Sequence, residues 1–430
     1  MTVFFRRIHL YLALAAGLVF FVQCLTGTLL VFEEEITHAL HTERYQVAGP
    51  AGQPRLALAQ LAAAFKQTHP KDKLLGFKIY ADPSRTVELS YKDPKSKEAG
   101  RGGPPGEGPG RQRGPQAGSP SGDHGPAGEH GPGGERGPGG RGKGKGRPER
   151  GSTAFVNPYT GQVQATVGPQ ERTFFSWAED LHRRLLAGEV GKTLTGISAL
   201  FILVITATGI VLWWPKTRQM LTGRLRIKWG SSWKRLNHDL HIVLGFYCSL
   251  FLFGLALTGV IMSYRWATES LFWLTGSTPA VGLPAPTAAT GGAPTIAYEA
   301  ALQAGRRTYP QAEYWRVSAP KDSAAAVVVS APLASGLHLN GVDTLFVDRH
   351  TGVALGQRLY SRQALGTQLR RLTKPLHTGE IGGIWTKLFA CLITLISLTF
   401  PITGVLLWLN RTRKKPQSAR RAAVAQPIAG

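Results

Sequence analysis

Four long apolar runs constrain the fold of this chain more than any other feature. They lie near residues 10–32, 194–214, 242–264 and 384–409. About 20 apolar residues in a helix are enough to cross the hydrocarbon core of a bilayer, which is about 30 Å thick. A soluble protein could bury one such run but hardly four. The sequence therefore predicts an integral membrane protein.

The distribution of charge predicts how the chain is oriented. The 430 residues carry a formal net charge of +24. The segments before the first run, between the second and third runs, and after the fourth contain fifteen Lys and Arg residues and one acidic residue, Asp239. By the positive-inside rule these segments are cytoplasmic. Both termini are thus expected inside and both long loops outside. Because topology accounts for the basic charge, no nucleic-acid partner is expected.

Two of the apolar runs belong to a repeated stretch, residues 181–214 and 376–410. In both copies a histidine is followed after 27 residues by a glycine and after 31 residues by a tryptophan. The first and third runs repeat as well, with a glycine 18 residues after a histidine. The repeated residues are His182, Gly209 and Trp213 against His377, Gly404 and Trp408, and His9 and Gly27 against His241 and Gly259. We interpret the chain as a duplication.

The predicted fold class is an all-α four-helix transmembrane bundle, built as a parallel tandem duplication, with two small α+β domains outside the membrane. The predicted segments are helix 1 (1–34), outer domain 1 (35–175), lead-in and helix 2 (176–214), a basic loop (215–238), helix 3 (239–265), outer domain 2 (266–364), lead-in and helix 4 (365–410) and a basic tail (411–430).

Local patterns predict the content of the outer domains. Helical periodicity marks 56–69 and 296–309. Alternating patterns predict strands at 76–80, 86–91, 314–318, 325–330 and 343–347, with turns at 157–161 and 348–352. Residues 98–151 are rich in Gly, Pro and Arg and have no apolar period. They are expected to be a disordered insertion of unknown role.

The duplication suggests how the four histidines are arranged. Parallel repeats are related by a pseudo-twofold axis along the membrane normal. Such an axis would set His9 opposite His241 at the cytoplasmic face and His182 opposite His377 at the outer face. Two facing imidazoles are the axial ligands of a six-coordinate b-type haem, and a four-helix bundle offers an interior slot. We therefore expect two bis-histidine haems b that form an electron path across the bilayer.

Other residues fit this hypothesis less specifically. Basic side chains next to the histidines could pair with haem propionates; they are Arg7, Arg183, Arg235 and Lys374. Glycines in the helices would let a flat macrocycle approach, and Pro401 would kink the fourth helix. His238, His38 or His41 could replace one of the proposed ligands.

Less specific interpretations of the same residues remain open. Histidines at the membrane interface commonly hydrogen-bond to headgroups or water. Histidine pairs also bind copper or zinc, but the runs contain no carboxylate to complete a closed site. Their cysteines, Cys24, Cys248 and Cys391, are expected to behave as small buried hydrophobes. Thr-Gly pairs, which occur in all four runs, are typical of small-residue helix packing.

His182 precedes its apolar run by about a dozen residues, roughly 18 Å of helix, and His377 has the corresponding position in the second copy of the repeat. Either the second helix extends well above the hydrocarbon, or it breaks at residues 188–191 and folds back.

The spaced histidines and Thr-Gly pairs, with NPYTGQV, DRHTGVA and DLHIVLGFY, resemble the PepSY-associated transmembrane family. The resemblance covers nearly the whole chain apart from 98–151. It implies a dihaem protein of the bacterial inner membrane with PepSY-like periplasmic domains, similar to ferric-siderophore reductases. By this resemblance His9, His182, His241 and His377 match positions expected to ligate haem.

The predicted function is a haem-dependent reductase. It takes electrons from an unidentified cytoplasmic donor or quinol and passes them to a ferric siderophore or another periplasmic acceptor. One alternative is a membrane-anchored PepSY-domain protein that regulates or binds peptidases and has no redox role. A transporter is a third class, but the near absence of acidic residues within the runs argues against proton coupling.

Overall fold

The computed structural model describes residues 2–48, 53–92, 151–168, 173–278, 297–320, 325–333 and 341–412. Four helical segments in these ranges are long and apolar enough to cross a membrane: Val3–Leu30, Gly188–Trp213, Trp233–Ser263 and Glu380–Thr412. Their mean hydropathy is 2.1 to 2.2. The chain is a membrane protein with four such helices, as the apolar runs predict.

The α-helices of the described residues, in chain order, are α1 (Thr2–Leu30), α2 (Glu33–Leu40), α3 (Thr42–Tyr45), α4 (Leu58–Thr68), α5 (Phe174–Arg184), α6 (Gly188–Trp213), α7 (Arg218–Arg224), α8 (Trp233–Asp239), α9 (Gly245–Ser263), α10 (Arg265–Leu274), α11 (Tyr298–Thr308), α12 (Leu365–Thr378), α13 (Gly383–Ser397) and α14 (Thr399–Thr412). A π-helical turn, Leu240–Leu244, joins α8 to α9.

The long helices form a four-cornered bundle. Helix α6 packs between α1 and α9, and the α13–α14 helix closes the other side by packing against the same two helices. The fourth helix is interrupted at Leu398, between α13 and α14. Pro401 lies just beyond the break and has no N–H to donate to the carbonyl of Ser397. The interruption lies where the sequence predicts a kink at Pro401.

The strands form one sheet in which all neighbours are antiparallel. They are β1 (Lys73–Tyr80), β2 (Val87–Lys92), β3 (Ser152–Val156), β4 (Val163–Val167), β5 (Tyr314–Ser318), β6 (Val327–Pro332), β7 (Val342–Val347) and β8 (Ala354–Arg358). Their order across the sheet is β4-β3-β2-β1-β5-β6-β7-β8. The two domains predicted at 35–175 and 266–364 are therefore joined through β1 and β5, which the sequence patterns do not indicate.

The β1–β5 pair has a symmetric register. Phe77 faces Val317, while Gly76 faces Ser318 and Lys78 faces Arg316. The strands on either side then follow in the same order counted from this pair. Helices α4 and α11 supply residues to one apolar core with the strands of both loops. The two outer segments thus share a single hydrophobic core.

The predicted local elements lie close to the observed ones. The helices expected at 56–69 and 296–309 are α4 and α11, and the turn at 157–161 separates β3 from β4. Strand β8 and helix α10 were not predicted. The predicted insertion, 98–151, lies outside the described residues except for Gly151.

Candidate functional site

The structure brings two of the four predicted histidines close together. His182 lies near the end of α5 and His377 near the end of α12. Their ring centres are 6.2 Å apart and their planes are inclined by 69°. Both lie at the end of the bundle from which α1 leads toward the sheet, so we call them the sheet-side pair.

The other two histidines lie at the opposite end of the bundle. His9 is on α1 and His241 is on the π-helical turn before α9. His9 lies beside Thr208 and Gly209 of α6, and His241 lies beside Thr403 and Gly404 of α14. The ring of His241 also meets Phe400 edge-on, with 5.9 Å between ring centres. We call His9 and His241 the far-side pair.

Each histidine is held by a threonine on another helix. Nδ1 lies 2.8 to 3.1 Å from the threonine Oγ1 in all four cases. The contacts are His9–Thr208 (3.1 Å), His182–Thr26 (2.9 Å), His241–Thr403 (2.8 Å) and His377–Thr258 (2.9 Å). Each threonine is the first residue of a Thr-Gly pair. We call each of these contacts a histidine clasp.

The glycine of each Thr-Gly pair leaves room for the imidazole. A Cβ added to Gly27 or Gly209 would lie 3.3 Å from Cε1 of His182 or His9, respectively. At Gly404 the distance to His241 would be 3.4 Å, and at Gly259 the distance to His377 would be 3.5 Å. These glycines therefore admit the histidine rings. From the sequence alone, these glycines were expected to make room for a macrocycle or to allow close helix packing.

The clasps are exchanged within each half of the chain. His9 of α1 contacts Thr208 of α6, and His182, just before α6, contacts Thr26 of α1. The second half repeats this arrangement between α9 and the α12–α14 segment. The equal histidine-to-glycine spacings of the two halves are the signal that could have revealed this pairing.

A tight turn carries His182 back into the bundle. After α5 the chain takes left-handed conformations at Leu185 and Leu186, with φ of 49° and 58°, and again at Gly188. Helix α6 then starts so close to α5 that a Cβ on Gly191 would lie 1.6 Å from the carbonyl oxygen of Arg184. Of the two arrangements considered for His182, the structure has the one in which the helix breaks and folds back.

The second half makes the same turn with glycines. Gly379 and Gly383, with φ of 75° and 67°, separate α12 from α13. A Cβ at Gly379 would lie 2.8 Å from Cβ of Ala390. This turn sets His377 beside Thr258, as the first turn sets His182 beside Thr26.

The surroundings keep the sheet-side imidazoles neutral. Burial lowers the pKa of His182 to about 4, and the neighbouring His377 lowers it as well. Burial also lowers the pKa of His377, against the opposing effect of a hydrogen bond to the carbonyl of Leu255. A neutral imidazole is the form that binds a metal ion.

The remaining predicted residues are used differently. Arg183 pairs with Glu179 at 2.6 Å and Arg235 with Asp239 at 2.8 Å, whereas Arg7 and Lys374 are exposed. The possible replacement ligands contact neighbours of their own: His238 contacts Asp239, His41 contacts Glu43, and His38 packs on Tyr45.

In the part of the chain that the structure describes, no three or more His, Cys, Asp or Glu side chains form a group that could hold a metal ion. Each pair therefore offers two protein ligands, which suits a metal whose other positions are filled by a macrocycle better than a closed zinc site.

Comparison with known proteins gives a result at the level of the family. No curated protein matches this chain. The family described as the PepSY-associated TM region matches residues 6–411. That match covers nearly the whole sequence and all four histidine clasps, and the chain belongs to this family.

Proposed function

We propose that the protein is a dihaem b-type electron carrier of the bacterial inner membrane. It would move electrons from a cytoplasmic donor or quinol to a ferric siderophore outside. The observation that carries the proposal is the sheet-side pair, in which His182 and His377 lie 6.2 Å apart between ring centres.

The separation of these rings fits a shared metal ion. Two imidazoles bound through nitrogen at about 2 Å on opposite sides of one ion have ring centres about 6 Å apart. Among the described residues, the hydrogen bonds of all four rings are made by Nδ1. Nε2 is thus the nitrogen available for coordination.

Each haem would supply a centre that gains and loses one electron. His182 and His377 would hold one haem, and His9 and His241 the other. The chain itself orients the rings through the histidine clasps. It also returns α5 and α12 to the bundle, where the sheet-side histidines are half-buried.

The distance between the two pairs matches the thickness of a membrane. Thr26, which holds His182, follows His9 by 17 residues on the same helix. That separation corresponds to about 26 Å along the helix axis. The hydrocarbon core is about 30 Å thick. Two centres at these positions would serve electron transfer from one face to the other.

We further propose that the chain arose by tandem duplication, with its termini in the cytoplasm and its sheet in the periplasm. The shared element order, the symmetric β1–β5 register and the basic segments support this arrangement.

The proposed acceptor defines the chemistry. One electron converts Fe(III) in the siderophore to Fe(II), which hard oxygen ligands hold less strongly. The sequence has no recognisable flavin or nicotinamide motif, so the electron would come from a separate donor.

A spectrum of the purified full-length protein tests the proposal. The reduced protein should show the Soret and α bands of low-spin haem b, with two haems per chain. The double variant His182→Ala/His377→Ala should keep one haem, and His9→Ala/His241→Ala should keep the other. Mixing the reduced protein with a ferric siderophore should reoxidise it.

A haem-free protein from haem-replete cells would overturn the proposal. If all four histidines could be replaced without loss of function, the alternative of a membrane-anchored PepSY-domain regulator would be favoured.

A further inference from the structure

In the four histidine clasps, the threonine hydroxyl hydrogen points to a backbone carbonyl and not to the histidine. In each case Oγ1 donates to the carbonyl four residues earlier in its own helix, at 2.7 to 2.9 Å. The pairs are Thr26 with Val22 (2.7 Å), Thr208 with Val204 (2.7 Å), Thr258 with Gly254 (2.9 Å) and Thr403 with Thr399 (2.8 Å). A hydroxyl has one hydrogen and two lone pairs. Each threonine therefore faces its histidine with a lone pair.

A lone pair on Oγ1 requires a proton on the facing Nδ1. The histidine must then be the donor, and its Nε2 must be the unprotonated nitrogen of the neutral ring. His377 supports this direction independently, because its Nδ1 also lies 3.0 Å from the carbonyl oxygen of Leu255, which can only accept.

We propose that Thr26, Thr208, Thr258 and Thr403 are positioning residues that hold each histidine in the Nδ1-protonated tautomer and aim Nε2 at the iron. This inference rests on the proposed dihaem function. It adds the residues that select the ligating nitrogen and tune its basicity. A metal-bound histidine that donates its other N–H is a stronger ligand, and loss of such a partner typically costs about 10- to 100-fold in metal affinity.

A purely structural role is the alternative. Threonine side chains often bond back to the carbonyl four residues earlier in membrane helices, where they adjust helix geometry. Thr206 provides an internal standard for that role. Thr206 is buried and donates to the carbonyl of Ile202 at 2.8 Å. It lies two residues before Thr208 on the same helix, and among the described residues it has no hydrogen bond to a histidine.

The experiment compares three substitutions in the full-length protein. Thr26→Val keeps the shape of the side chain but removes the hydroxyl, Thr26→Ser keeps the hydroxyl, and Thr206→Val is the matched control. We expect Thr26→Val to weaken retention of the sheet-side haem by about 10- to 100-fold. Its midpoint potential should rise, because a less basic ligand stabilises Fe(III) less. Thr26→Ser and Thr206→Val should resemble the wild type.

A second measurement separates this inference from the proposed function. Nitrogen-15 NMR of full-length protein, prepared in a host unable to make haem, reports which ring nitrogen of His182 carries the proton. We expect protonated Nδ1 in the wild type and in Thr26→Ser, and a mixture of tautomers in Thr26→Val.

Absence of haem from the wild type would contradict the proposed function and leave the NMR result to decide on the tautomer. The inference itself is overturned if Thr26→Val keeps the wild-type potential and NMR signals, or if Thr26→Ser is as impaired as Thr26→Val.

Discussion

The two histidine pairs use the same clasp but reach it by different routes. In the far-side pair, His9 lies on the long helix α1, and His241 lies on the π-helical turn that continues into α9. In the sheet-side pair, His182 and His377 are on short helices that fold back through turns with positive φ. The same histidine–threonine contact therefore occurs in both pairs, although the backbone that supports it differs.

Because of this difference, different substitutions should disturb the two pairs. The far-side pair is carried by continuous helical backbone, whose hydrogen bonds are made within each helix segment. The sheet-side pair depends on a few residues in the turns, where a single methyl group would collide with backbone. Leu185 and Leu186 adopt a left-handed conformation that costs roughly 1 kcal/mol for each residue with a Cβ. The second half avoids that cost with Gly379 and Gly383.

The largest effect is expected from Gly191→Ala. The new Cβ would lie 1.6 Å from the carbonyl oxygen of Arg184, so α5 must move away from α6. Under the proposed dihaem function, the purified variant should lose the sheet-side haem and keep the far-side haem, so that the haem content falls from two per chain to about one. Haem stoichiometry and the reduced spectrum measure the change.

Gly254→Ala is the control for this substitution. Gly254 lies in α9, and a Cβ there would have no neighbour within 4 Å. If Gly191→Ala retained both haems, or lost both equally, the proposed separation of the two pairs would be wrong.

A moderate effect is expected from Gly27→Ala. The added Cβ would lie 3.3 Å from Cε1 of His182, so the ring must shift by a few tenths of an ångström and its bond to Thr26 weakens. A shift in the midpoint potential of the sheet-side haem should follow, without loss of the protein.

Gly259→Ala should change less, because its Cβ would be at an ordinary contact distance of 3.5 Å from the ring of His377. In Gly209→Ala the added Cβ would lie 3.3 Å from Cε1 of His9, so this variant should shift the midpoint potential of the proposed far-side haem instead. Equal shifts for Gly27→Ala and Gly259→Ala would show that the glycine contacts do not control the rings.

The smallest effect concerns an ion pair at the sheet-side end. Lys387 of α13 donates to Glu35 of α2 at 2.7 Å. Partial burial opposes the charge on Glu35 and is the largest single influence on its pKa. The hydrogen bond from Lys387, the positive charge of Lys387 and a backbone hydrogen bond together outweigh burial and lower the pKa of Glu35 below its ordinary value. This contribution to stability is complete above the ordinary pKa of about 4.3 and is lost as the pH falls through the lowered folded-state pKa.

Glu35→Gln should therefore lower the thermal midpoint at pH 7 and reduce its decline in acid. Because Glu35 is 44% exposed, we expect no more than about 1 kcal/mol. Lys192, at the equivalent position in the first half, pairs with the exposed Glu189 of its own helix, so Glu189→Gln is the matched control. Identical melting curves for both variants would mean that the α2–α13 contact adds no stability.

Sequence patterns predicted most of the local structure because local structure depends on neighbours in the chain. Apolar runs of membrane length indicated the four long helices, and Pro401 indicated the break in the last one. Equal spacings suggested that His182 and His377 face each other, and the structure brings them together. Whether the histidines bind haem stays a prediction.

The contacts between distant segments were not predictable in the same way. Thr26 and Thr208 carry no local feature that distinguishes a histidine acceptor from ordinary helix packing. The turn at Leu185 and Leu186 uses residues that rarely adopt positive φ, so composition gave no sign of it. The joining of β1 to β5 depends on pairing across 240 residues, which alternation within each strand does not report.

That pairing has a consequence for biogenesis. In the proposed topology β1 crosses the membrane before its partner β5 has been synthesised, because about 240 residues at 5–20 residues per second take roughly 12 to 48 seconds. During this interval β1 is an open sheet edge, and such edges invite pairing with other chains. In that topology the first loop would complete the shared core only after the second loop has been made. A chain cut after α6 would keep its first two helices and expose the β1 edge permanently, so we expect it to associate with other chains or to be degraded.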